Sequence, residues 1–176
     1  GLTIFDVEEL PTHGGSIRIH ARHTGNDQLP VRESVLVLEA TERLHGLDRL
    51  ETYDHFAAQV EETKRRLLDF LAVAQREGKR VVGYGAPAKG NTLLNYCGVS
   101  TEQIGFTVDR SPHKQGLRLP GTHIPIRAPE AIDSERPDYV LILPWNLKDE
   151  IVEQMSHVRS WGGRFVVPIP EVEVVA

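Results

Sequence analysis

The run Gly83-Tyr84-Gly85-Ala86-Pro87-Ala88-Lys89-Gly90-Asn91 has the residue types needed to hold an anion. Read as G-x-G-x-x-G/A, its key positions are Gly83, Gly85 and Ala88. The first permits a tight turn, the second lets a pyrophosphate approach the backbone, and the third lets a helix pack close to a strand. The free N–H groups of the helix that follows favour negative charge, and Lys89 adds a point charge. Asp109 ends the next strand 24 residues after Gly85, where a ribose-binding acid is expected. Pro87 stiffens the turn and removes a donor, while Lys89-Gly90-Asn91 adds polar groups that a plain dinucleotide fingerprint does not need. A nucleotide diphosphate is therefore favoured over NAD. A tight strand-to-helix turn can also require these glycines without any ligand.

A second cluster is Thr12-His13-Gly14-Gly15-Ser16-x-Arg18. Its glycines allow close backbone approach, Ser16 can donate, Arg18 can grip a phosphate with two N–H groups, and His13 can carry a proton near neutral pH. A wide hairpin turn with a surface histidine explains the same residues equally well. Pro144-Trp145-Asn146 forms a third group: Trp145 could stack on a base or sugar, and Asn146 is expected first as a helix cap and second as a ligand contact. Lys114 and Arg118 are expected as solvated loop charges, and Cys97 as a small buried hydrophobe. His20 and His23 have no nearby third ligand, so no metal site is expected.

The elements that position these groups are legible in the pattern. Residues 1–24 read as two strands around a turn, followed by helical periodicity over about 32–45 and 50–77. After Gly78 the texture changes to short apolar strands at about 80–84, 104–108, 122–126, 139–143 and 164–167, alternating with helices, one of them from Leu147 to about Ser160. That alternation predicts an α/β fold: a Rossmann-like, doubly wound, mainly parallel sheet over 79–176, with a β-hairpin and helical lead-in over 1–78. The chain's 176 residues amount to about one domain. A net charge of −5 argues against nucleic acid or an anionic membrane as partner, and a single cysteine excludes a disulfide framework and suits a reducing cytoplasm. No apolar stretch approaches the roughly 20 residues of a membrane span. The chain opens at Gly1 and runs at once into Leu2-Thr3-Ile4-Phe5, so a piece of a longer protein is expected.

Taken with Val108-Asp109-Arg110-Ser111-Pro112-His113-Lys114-Gln115-Gly116, Leu141-Ile142-Leu143-Pro144-Trp145-Asn146 and Gly163-Arg164-Phe165-Val166-Val167-Pro168-Ile169-Pro170, the first two clusters make five motifs in order along nearly the whole chain. Together they resemble the C-terminal domain of the sugar C-methyltransferases. These are S-adenosylmethionine-dependent enzymes acting on nucleotide-linked deoxysugars. The resemblance implies a parent with an N-terminal zinc-binding domain, a central domain holding S-adenosylmethionine, and this domain, with the sugar nucleotide (a thymidine diphosphate sugar) between the last two. The implied chemistry removes a proton beside a keto group, and the enolate then attacks the methyl sulfonium. The family's Tyr-x-Glu-His base segment and its zinc cysteines do not occur in this chain, so cofactor, zinc and base are all expected outside it. The implied substrate-binding residues are Thr12, His13, Gly14, Ser16, Arg18, Gly83, Tyr84, Gly85, Ala86, Lys89, Asn91, Asp109, Pro144, Trp145 and Asn146. His13 is placed near the sugar without being named as the base. Two other readings stay open: an NAD(P)-binding oxidoreductase domain resting on Gly83, Gly85, Ala88 and Asp109, and a noncatalytic module regulated by a nucleotide.

Overall fold

The structure is a computed structural model describing residues 1–175, with the side chain of His13 outside the description. It divides into two compact units, Gly1–Ala58 and Gln59–Ala176.

In the first unit, strands β1 (Leu2–Leu10) and β2 (Ser16–His23) pair antiparallel around a short 3-10 turn over Thr12–Gly14. The register shifts between Ile4 and Asp6, so Phe5 is the extra residue of a bulge. Helix α1 (Glu33–Leu44) is tied to β1 through Asp6. One carboxylate oxygen accepts the Ser34 hydroxyl at 2.7 Å and the other accepts Arg32 Nη1 at 2.7 Å. The Ser34 hydrogen bond, reinforced by Arg32 and the Val7 N–H, outweighs burial and holds the Asp6 carboxyl below its ordinary range.

Helix α2 (Leu50–Arg76) starts in the first unit and ends in the second. The division therefore falls inside this helix, ahead of the change of texture at Gly78, because Leu67, Leu71 and Ala74 belong to the core of the second unit.

That second unit is a six-stranded sheet ordered β5 (Ile126–Arg127), β4 (Thr107–Val108), β3 (Val81–Tyr84), β6 (Tyr139–Ile142), β7 (Arg164–Val167) and β8 (Glu173–Val175). The first five are parallel and β8 runs antiparallel to β7. The strands read as uninterrupted apolar runs because both faces are covered. Val81, Tyr139, Leu141, Leu143 and Val166 pack with α2 and with Leu93, Leu94 and Cys97 of α3 (Ala88–Cys97). Val82, Tyr84, Val140, Ile142, Phe165 and Val167 pack with Ile132 of α4 (Ala131–Glu135), Ile151 of α5 (Lys148–Gln154), Met155 and Val158.

The doubly wound, mainly parallel expectation is met, with four differences of detail. The edge strand at Pro125 is shorter than expected, two residues from Ile126. β4 is likewise confined to two residues. The helix expected from Leu147 to Ser160 is broken at buried Met155, with a 3-10 segment over Ser156–Trp161. Strand β8 was not expected, since three residues are too few to display an alternation.

Candidate functional site

Strand order reverses between β3 and β6: β4 and β5 lie on one side of that pair and β7 and β8 on the other. The chain segments leaving β3 and β6 therefore part and open a crevice beyond the carboxyl ends of the strands, where ligands gather in such sheets. Here the crevice is a cleft of about 220 Å³ lined by Tyr84, Gly85, Ala86, Asp109, Pro144 and Leu147 among others.

The glycines of the loop answer to three different neighbours. A Cβ at Gly83 would lie 2.6 Å from Thr107 Oγ1, whose hydroxyl donates to the Gly85 carbonyl at 2.7 Å. Gly85 has φ +88 and a Cβ there would meet Pro144 Cδ at 2.7 Å. The helix-to-strand contact assigned above to Ala88 belongs instead to Gly90, where a Cβ would stand 2.7 Å from Leu143 Cβ. Ala88 is simply the first residue of α3, after Pro87 in extended conformation and without a side-chain cap.

Asp109 closes β4 as expected but does not present a free carboxylate. Its Oδ2 accepts the Ala86 N–H at 2.8 Å and Lys114 Nζ at 3.1 Å, and its Oδ1 accepts the Ser111 N–H at 2.9 Å. Lys114 also donates to the Ala86 carbonyl at 3.1 Å. Burial pushes the Asp109 carboxyl up, but the two backbone N–H groups and the Lys114 ammonium outweigh it and hold its pKa below the usual range. Lys114, expected as a solvated loop charge, is thus part of the loop's framework. Nothing short of the fold could have revealed that partnership.

Lys89 and Asn146 also meet. The Lys89 ammonium donates to Asn146 Oδ1 and stands 4.5 Å from the centroid of the Trp145 ring. Asn146 therefore does not cap α5. It sits inside a 3-10 turn over Trp145–Leu147, and neither that turn nor α5 has a side-chain cap. Burial pushes the Lys89 pKa down, and no carboxylate pairs with it among the described residues. Two residues further along α3, Asn91 Oδ1 is buried with no hydrogen-bond partner among the described residues. Tyr84 lies with its ring in the core facing α5, where burial raises its phenol pKa.

The second cluster belongs to the first unit. Ser16 Oγ donates to the Thr12 carbonyl at 3.0 Å, Gly14 has φ +86 in the turn, and Arg18 on β2 pairs with Glu8 Oε2 at 2.8 Å. These groups are exposed or half-exposed; the side chain of His13 lies outside the description.

A second cleft in the sheet unit, of about 320 Å³, opens at the amino ends of the strands and is lined by Lys79, Arg80, Gln103 and Arg127. Its cations are already paired, Lys79 with Asp138 and both arginines with Glu135. Among the described residues no group of three His, Cys, Asp or Glu could hold a metal, and no helix is long and apolar enough to cross a membrane.

A family model described as the C-methyltransferase C-terminal domain matches residues 11–170. The C-methyltransferase NovU of Streptomyces niveus is 40% identical over all 176 residues, and the chain spans 42% of that relative's length. Among solved structures, UDP-D-quinovosamine 4-dehydrogenase from Vibrio fischeri aligns with 56% of this chain and 93% of its own, at 20% identity and a TM-score of 0.42.

Proposed function

Since the chain belongs to the family of C-methyltransferase C-terminal domains, we propose that it is the sugar-nucleotide-binding part of an S-adenosylmethionine-dependent C-methyltransferase acting on a keto intermediate of a nucleoside-diphosphate deoxysugar, with thymidine diphosphate as the carrier. The observation that carries this reading is the Lys89 ammonium, held by Asn146 and the Trp145 ring without a carboxylate partner at the rim where the strand order reverses. A partly buried cation without a counter-charge is poised for an anion, and the uncapped start of α3 adds N–H groups beside it. Asn91 Oδ1, buried and unpartnered two residues on, is a further free acceptor of α3. Trp145, with the Lys89 ammonium over its ring, borders that anion seat, and Pro144 lines the cleft at the same strand ends. On this reading Thr12, His13, Gly14, Ser16 and Arg18 remain the first unit's own substrate-binding candidates, and the protein works in the cytoplasm.

The rim does not fit S-adenosylmethionine. Asp109, the acid that would take an adenosine ribose, is engaged by Ala86, Ser111 and Lys114. The same engagement speaks against a nicotinamide cofactor. Bound to a methyltransferase domain of the parent outside this chain, S-adenosylmethionine would supply the methyl group; the zinc belongs to the parent's N-terminal domain, and the base likewise lies outside this chain. The residues here bind: Lys89, seated on Asn146 and the Trp145 ring, and the start of α3 hold the diphosphate. The chain alone is accordingly inactive in methyl transfer.

Calorimetry with thymidine diphosphate tests the reading. Binding by the chain, weakened at least tenfold in Lys89→Ala, is expected; equal affinity of the two proteins overturns it. Titration with NAD(P)H is expected to show no heat of binding.

A further inference from the structure

The hairpin of the first unit has one wet face and one apolar face. Arg18 and His20 on β2 both approach Glu8 on β1, which makes the wet face. The opposite face carries Ile17 and Ile19 from β2 and Leu2, Ile4 and Val7 from β1. Ile4 and Val7 are three apart and would point to opposite sides of a regular strand, but the bulge at Phe5 turns them to the same side. With Val35 and Leu36 of α1 they line an open groove of about 530 Å³. This is the patterning of a buried face, yet Ile19 is 52% exposed, Leu36 60% and Leu2 72%. Contiguous apolar surface of this kind marks a place where something else docks.

We propose that this groove receives a segment of the parent polypeptide lying outside this domain, an aliphatic stretch with a basic flank. The proposal rests on the reading of the chain as one domain of a longer enzyme. Two observations choose the occupant. The curated relative extends well beyond this domain, since the chain covers only 42% of its length, so there is polypeptide to fill the groove. Glu42 of α1, with Glu39 beside it already sharing its carboxylate with Arg43 at 3.1 Å, gives the groove an acidic lip, which favours Lys or Arg beside the aliphatic anchors. A second copy is the poorer fit, because a two-fold contact sets the same patch against itself and would bring the two acidic lips together.

Hydrogen–deuterium exchange on the 176-residue chain and on the longer parent reads the docking directly. The β2 and α1 amides are expected to exchange at least tenfold more slowly in the parent, and Ile19→Glu or Leu36→Glu is expected to remove that protection. Ile19→Thr, which keeps a strand-forming residue, gives a milder loss and guards against a variant that fails to fold. Sedimentation of the 176-residue chain at micromolar concentration is expected to show a monomer. Equal exchange in the two forms overturns the proposal, and so does a dimer that Ile19→Glu dissociates, which would make a second copy the occupant. Thymidine diphosphate binding by the same variants is expected to be unchanged, so a failure of docking is separable from a failure of the nucleotide-binding reading.

Discussion

The carboxylate of Asp109 accepts the backbone N–H of Ala86 at 2.8 Å, so the acid at the end of one strand holds the glycine loop at the end of the next. In a dinucleotide site that acid faces a ribose. Here it is turned onto the protein, and Lys114 neutralises it. The loop is therefore braced before any ligand arrives.

Removing the brace is expected to cost stability. Asp109→Ala leaves the Ala86 N–H and the Lys114 ammonium without their acceptor, a loss of about 1–3 kcal/mol in urea unfolding. Asp109→Asn retains an acceptor for Ala86 and is expected to lose less than half as much. If the two variants unfold alike, the Ala86 hydrogen bond contributes nothing.

The pH dependence of the brace has a definite sign. The Asp109 pKa is depressed in the folded state, so its contribution is fully present above the unfolded value of about 3.9 and is lost as pH falls through the lower folded value. Chemical denaturation at pH 6 and pH 3 is expected to show a smaller acid loss for Asp109→Ala than for the wild type. A parallel loss in both would remove Asp109 from the acid response.

Two glycines separate close packing from simple turn preference. Gly90→Ala places a Cβ 2.7 Å from Leu143 Cβ and is expected to cost about 1–3 kcal/mol by overpacking. Gly105→Ala meets nothing within 4 Å and needs no left-handed backbone, so a change within about 0.5 kcal/mol is expected. Thermal melts of the pair check the contrast.

Much of this architecture is legible in the order of residues because β3, α3 and β6 are bounded by Gly78, Gly98 and Pro144, and the strands between are unbroken apolar runs. The glycine loop and the rim after β6 were locatable for the same reason. The partners of Lys114 and Asn146 were not, since a long side chain or an amide at a turn takes whatever group the neighbouring loop brings opposite it. The fingerprint spacing points to Ala88 rather than Gly90 because it names a position, whereas the contact depends on where Leu143 stands across the helix.

Arg18 and Lys89 are expected to differ in their effect on nucleotide binding. Arg18 is exposed and paired with Glu8, so a phosphate must compete with that carboxylate, whereas Lys89 has no carboxylate to displace. The Arg18–Glu8 pair is worth no more than about 1 kcal/mol, being open to solvent. Arg18→Ala is therefore expected to leave the melting temperature nearly unchanged and to weaken binding of the nucleotide sugar severalfold, against tenfold or more for Lys89→Ala. Equal losses would overturn that ranking of the two cations.

Lys89 also makes binding depend on pH. Burial disfavours its charged form, so its folded pKa lies below the usual lysine value of about 10.4. Between the two values the unfolded chain holds a proton that the folded chain does not, so the unliganded domain gains stability as pH rises through that window. A bound diphosphate reverses the preference, because it stabilises the ammonium and draws the pKa back up. Affinity for thymidine diphosphate is thus expected to be flat near neutral pH and to fall as the medium becomes alkaline, starting below the range where an exposed lysine would titrate. Lys89→Arg keeps its charge throughout and is expected to abolish that fall while binding less tightly, since a planar fork replaces the compact ammonium held by Asn146 and the Trp145 ring. An alkaline fall that persists in Lys89→Arg would assign the titration to another group and remove Lys89 from the phosphate.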